Sequence, residues 1–88
     1  MEEQMNTRVA LIAIIVENSE NIDLLNSILH EYAKYIIGRM GLPYPKRNIS
    51  IISIAMDATQ DAISALDGKI GKIRGIGVKT AYSNVMSE

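Results

Sequence analysis

The chain has no cysteine, no tryptophan and no phenylalanine. Without thiols there is no disulfide framework, no Cys-ligated zinc or iron-sulfur cluster and no thiol nucleophile. Tyr32, Tyr35, Tyr44 and Tyr82 are the only aromatic residues, too few for a base-stacking platform. With His30 as the one histidine, no nucleophile and base can be paired, and an enzyme is not expected. No sign of charge dominates either, since 9 Lys and Arg oppose 10 Asp and Glu, so bulk attraction to nucleic acid is absent. The longest unbroken apolar run is Val9 to Val16, far short of the about 20 residues of a spanning helix. The opening Met1-Glu2-Glu3-Gln4 is acidic where a secretory signal is basic. These features predict a cytoplasmic protein with no membrane association, no cofactor and no metal.

What is present is apolar. The 88 residues are 48% hydrophobic, which fits one small globular domain rather than a disordered chain. That domain is expected over residues 8–83, between an N-terminal tail at 1–7 and a C-terminal tail at 84–88. Val9 to Val16 is short and rich in β-branched residues, so it reads as a strand. Ser19 then caps a helix, with Glu20 and Asp23 in the first turn. Ile22, Leu25, Ile28 or Leu29, Tyr32 and Ile36 form its apolar stripe, and it ends near Tyr35. Ile36 to Pro43 and Ile49 to Met56 read as two strands around the turn Pro43-Tyr44-Pro45-Lys46-Arg47-Asn48. The prolines assign the second strand to an edge and interrupt its pairing. Asp57 or Thr59 caps a second helix with Ala62, Ile63, Leu66, Ile70 and Ile73 on its buried side, and Gly68 and Gly71 weaken its last turns. Gly75-Ile76-Gly77 turns the chain into a last strand over Val78 to Tyr82.

The order β-α-β-β-α-β, with right-handed crossovers, predicts an α+β fold: a two-layer, ferredoxin-like sandwich with both helices on one face of a four-stranded antiparallel sheet. Such a sheet has one free face, and its strands should alternate apolar with polar. They do not. The first strand is apolar at both parities, and in the third Ile49, Ile51 and Ala55 accompany Ser53 on the side opposite Ile52, Ile54 and Met56. The free face therefore needs a cover, and a second copy of the chain is the expected one, in a dimer or tetramer formed through the sheet face or a sheet edge.

Arg39-Met40-Gly41-Leu42-Pro43, and the segment from Gly68 through Gly71, Gly75 and Gly77 to Thr80, resemble a family labelled iron-only hydrogenase system regulators. The likeness runs from about Ala10 to Tyr82. The resemblance implies an ACT-like domain, similar also to the C-terminal domain of nickel-responsive repressors, and a homo-oligomeric regulatory role. It carries no established ligand or catalytic residue. The repressors hold nickel with several histidines and a cysteine, and this chain has only His30. Amino-acid-binding ACT domains carry a glycine in the first strand-to-helix loop, which here reads Glu17-Asn18-Ser19-Glu20-Asn21. With only Met1 to Thr7 before the first strand, a ribbon-helix-helix DNA-binding segment is not expected.

The resulting expectation is a regulatory module that binds a small-molecule effector or a regulatory protein between chains. Arg39, Gly41, Ile49 and Ile51 are the candidate ligand or interface residues, with Arg39 and Gly41 placed on the oligomer side of the sheet. A rival reading takes Ile73 to Ala81 as a helix-hairpin-helix element, in which Gly75 and Gly77 direct backbone N–H groups at a DNA phosphate beside Lys79. Lys46, Arg47, Lys69, Lys72 and Arg74 read as solvated charges. His30 reads as a surface histidine, and Asp57 and Asp61 as caps and first-turn charges. Gly71-Lys72 lacks the spacing of a phosphate loop.

Overall fold

A computed structural model describes residues 6–86. The chain folds into β1 (Arg8–Val16), α1 (Ile22–Glu31), β2 (Ile36–Tyr44), β3 (Ile49–Ala58), α2 (Gln60–Gly71) and β4 (Ile76–Met86), with short 3-10 turns at Ser19–Asn21, Ala33–Tyr35 and Pro45–Arg47. All four strands form one sheet in the order β2-β3-β1-β4, and every neighbouring pair is antiparallel. Hence β1 and β2 run parallel with β3 between them, and β3 and β4 run parallel with β1 between them. These two interleaved crossovers make the fold a two-layer, ferredoxin-like and ACT-like α+β sandwich, as the sequence predicts.

The ends of the elements follow from local chemistry. Asn18, rather than Ser19, caps the first turn, its Oδ1 accepting from the Glu20 N–H at 2.8 Å. Thr59 caps α2, its Oγ1 accepting from the Ala62 N–H at 3.2 Å, while Asp61 and Lys69 complement the helix dipole at its two ends. Asp57 is no cap; it lies within β3 and is exposed. The stripe expected to continue as α-helix to Tyr35 ends at Glu31 and finishes in the 3-10 turn. β2 is an edge strand, yet its pairing with β3 runs through Pro43 to Tyr44. The N–H that Pro43 lacks costs nothing where no second neighbour needs it. β4 extends past Tyr82 to Met86, so part of the predicted C-terminal tail is strand; the tail residues 1–5 and 87–88 lie outside the described residues.

One face of the sheet carries the core. Ala10, Ile12, Ile14 and Val16 from β1 and Ile52, Ile54, Met56 and Ala58 from β3 are buried, and they meet Leu25 and Leu29 of α1 and Ile63, Leu66 and Ile70 of α2. The register pairs Ile12 with Ile54 and Ile14 with Ile52 across the two central strands. Each fully buried aliphatic side chain contributes about 1.5–3 kcal/mol, so this layer between sheet and helices is the main source of stability. It also fixes which residues face away from the helices.

Candidate binding faces on the two sides of the sheet

The period-2 alternation of the strands sends every second residue to the face the helices do not cover. The register gives that outer face in rows. Ile15 lies beside Ile51 and Leu42, Ala13 beside Ser53 and Met40, Leu11 beside Ala55 and Gly38, and Ile49 beside Tyr44. On the β4 side, Lys79 pairs with Ala13 and Ala81 with Leu11. Leu11 is 48% exposed, Met40 61% and Leu42 54%. Ordinary pleated surfaces are polar at such positions, whereas here the charges of the described residues are Asp57, Glu17 and Arg47 near the strand ends and Lys79 on the edge strand β4. Near one end, Glu17, Arg47, Tyr44, Leu42, Ile49 and Ile51 surround a shallow depression. Ile49 and Ile51 are thus placed on the outer face, as expected.

Arg39 and Gly41 are not. Their register partners are Ile54 and Ile52, both on the helix-covered side. The cause is a bulge: Ile36 pairs with Met56, but Gly38 pairs with Ala55, so one extra residue enters β2 and the parity of everything after it is reversed. An unbroken strand starting from an inward Ile36 would have turned Arg39 outward. Instead its Nη2 donates to the Asn26 Oδ1 on α1 at 3.2 Å. The four candidate residues are therefore divided between opposite faces.

Beside Arg39, the edge of β2 and the helix layer leave an open cleft of about 510 Å³ lined by Asn26, Leu29, His30, Ala33, Ile36 and Arg39. Asn26 and His30 stand four residues apart on α1 and share a side of the helix. That spacing, next to Leu25 and Leu29 of the apolar stripe, is the sequence signal by which this cleft could have been found.

The helix-hairpin-helix reading is overturned. Residues 76–86 after the glycine turn are strand, so the second helix it requires does not exist. Gly75 turns its carbonyl, not its N–H, into the neighbouring loop, where it accepts from Glu17 N at 2.8 Å and Asn18 N at 3.1 Å. Lys79 lies in mid-strand beside Ala13.

Two further polar clusters tie elements together. The Thr80 hydroxyl donates to the Asp67 carboxylate, joining β4 to α2. Lys69 of α2 pairs with Glu31 at the end of α1 at 3.3 Å and lies 5.1 Å from the Tyr32 ring centre. Hydrogen bonding to Tyr32, then to Glu31, holds the Lys69 ammonium above its ordinary pKa of 10.5. Among the described residues no three His, Cys, Asp or Glu side chains gather in a metal-binding group, and no helix is long and apolar enough to cross a membrane.

No curated protein matches this sequence. Among solved structures, the uncharacterized protein TM1266 from Thermotoga maritima is similar at 32% identity and a TM-score of 0.83, covering 86% of this chain and 96% of that one. A formyltetrahydrofolate deformylase from Pseudomonas putida KT2440 shares the fold at 11% identity and a TM-score of 0.63, over 88% of this chain but 29% of its own. Over residues 8–80 the sequence matches the TM1266-like family, whose description reads "Iron-only hydrogenase system regulator, putative". On the strength of that match and of the TM1266 structure, the chain belongs to the TM1266-like family.

Proposed function

We propose that this chain is a non-catalytic regulatory module that self-associates through the outer face of its sheet and senses a small molecule or partner protein at the interface between chains. The carrying observation is that face: Leu11, Ile15, Met40, Leu42, Ile49 and Ile51 are all on the side without helices. Four strands at about 4.8 Å spacing and five residues at about 3.3 Å give roughly 300 Å² of flat area. At about 25 cal/mol per Å², covering even the flat area yields about 7 kcal/mol per chain before the costs of association.

A second copy is the occupant that fits best. Central depletion of charge with charges at the rim is the composition of homodimer interfaces, and a two-fold axis lets an apolar face meet its own equivalent. Sheet-on-sheet packing at about 10 Å would bury both faces. The family description supports a regulatory role, and the lack of cysteine with a single histidine supports the absence of catalysis. Native mass spectrometry of freshly purified protein tests the reading. A dimer or tetramer carrying additional mass is the expected result, and a bare monomer at micromolar concentration would contradict it.

A further inference from the structure

We infer that the cleft between α1 and the edge strand β2 is a binding site for a small organic monocarboxylate with an apolar tail. It lies on the side of the sheet opposite the proposed interface, so it stands whether or not the outer face is covered. The donor set carries the inference. Arg39 gives one N–H to Asn26 and keeps the rest of its guanidinium fork. That bond turns the Asn26 Oδ1 toward Arg39, and the amide Nδ2 still has its two N–H groups to give. His30 supplies an imidazole N–H. Among the described residues no carboxylate lines the cleft; every polar side chain there can donate, and the remaining lining is Leu29, Ala33 and Ile36.

Charge and shape select the class of anion. A guanidinium binds a planar carboxylate through two parallel N–H···O bonds. A phosphate dianion needs more positive charge than a single arginine offers, and usually a helix N-terminus or a nest of backbone N–H groups. Here α1 presents its C-terminal end, with His30 in the last turn; its carbonyl dipole disfavours any anion, a dianion about twice as much as a single carboxylate, so the Arg39 charge has to outweigh it. The apolar lining accepts a hydrocarbon tail. Gly41 follows Arg39 on the same side of β2, and the position a Cβ would take there meets nothing within 4 Å, so the approach along the strand is open.

The test is a 1H–15N correlation titration of the full chain with sodium hexanoate, with hexylammonium and inorganic phosphate as comparison probes. Hexanoate is expected to shift the resonances of Asn26, Leu29, His30, Ala33, Ile36 and Arg39 saturably at millimolar concentration. Arg39→Gln is expected to weaken the affinity about tenfold or more, by loss of a charge-assisted bidentate contact. Asn26→Asp, of nearly the same shape, is expected to abolish binding by placing a negative charge in the cleft. Both positions are exposed, and each variant's dispersed spectrum reports that it folds. The same shifts in Leu11→Lys, altered on the opposite face, separate this site from self-association. Absence of saturable shifts, equal response to hexylammonium, equal or tighter binding of phosphate, or unchanged affinity in both variants would overturn the assignment.

Discussion

Gly75 is seated directly against Asn18: a Cβ added at Gly75 would come within 2.6 Å of the Asn18 Cβ. The carbonyl of Gly75 receives the N–H groups of both Glu17 and Asn18, so the turn before β4 closes the loop after β1. At φ +83° the backbone is in the left-handed region that favours glycine. Both ends of the contact are thus set by one residue.

Replacing it has a definite cost. Gly75→Ala is expected to destabilise the protein by about 1–3 kcal/mol for the backbone conformation alone, with the displacement of Asn18 in addition. For a chain of this size each 1 kcal/mol lowers Tm by roughly 4–8 °C. Thermal unfolding followed by circular dichroism measures it, and an unchanged Tm would show that the turn relaxes freely.

Arg8 anchors the far end of β4. Between Ala10, which pairs with Tyr82, and Arg8, which pairs with Met86, the register shifts. The Arg8 guanidinium bridges that irregularity, donating to the Ser83 carbonyl and the Gln60 Oε1, each at 2.8 Å, and lying 4.9 Å from the Tyr82 ring centre. Arg8→Ala is expected to cost about 1–3 kcal/mol by leaving the Ser83 carbonyl without this donor. Amide exchange at residues 83–85 should accelerate more than exchange in β1 and β3.

Lys69 supplies a pH dependence. Hydrogen bonding to Tyr32 and Glu31 raises its folded pKa above 10.5, so its contribution is fully present below the ordinary lysine value and is lost as pH rises through the raised one. Because the group is exposed, the effect is small. Comparing wild type and Lys69→Met in urea melts, the difference should stay constant from neutral pH to about pH 9 and shrink only above about 10.5. A difference that vanished near pH 7 would contradict this.

The sequence carries most of the fold because its strongest signals are local. The apolar run of β1, the stripes through Leu25 and Leu29 and through Ile63, Leu66 and Ile70, and the Thr59 cap all match the structure. The doubly apolar pattern of β1 and β3 placed Ile49 and Ile51 on the outer face correctly. The site was less legible where placement depends on tertiary geometry. A single extra residue between Ile36 and Gly38 reverses Arg39 and Gly41; Gly38 is a residue type that fits a bulge or a bent edge, but a glycine alone does not say that a residue is inserted. In the same way, Gly75 and Gly77 fit two local readings, and only the pairing of Val78 with Ile14 and of Thr80 with Ile12 separates a strand from a helix.

The central claim is that the outer face of the sheet is covered by a second copy of this chain. Sedimentation velocity over a concentration series, on wild type and Leu11→Lys, tests it most directly. Leu11 lies on central β1 and points away from the helix-side core, so the lysine leaves the fold intact while placing a charge in the apolar face. Wild type should sediment as a dimer or larger assembly at micromolar concentration, and Leu11→Lys as a monomer with an unchanged circular dichroism spectrum. A monomeric wild type, or a Leu11→Lys variant that assembles as wild type does, would contradict the account.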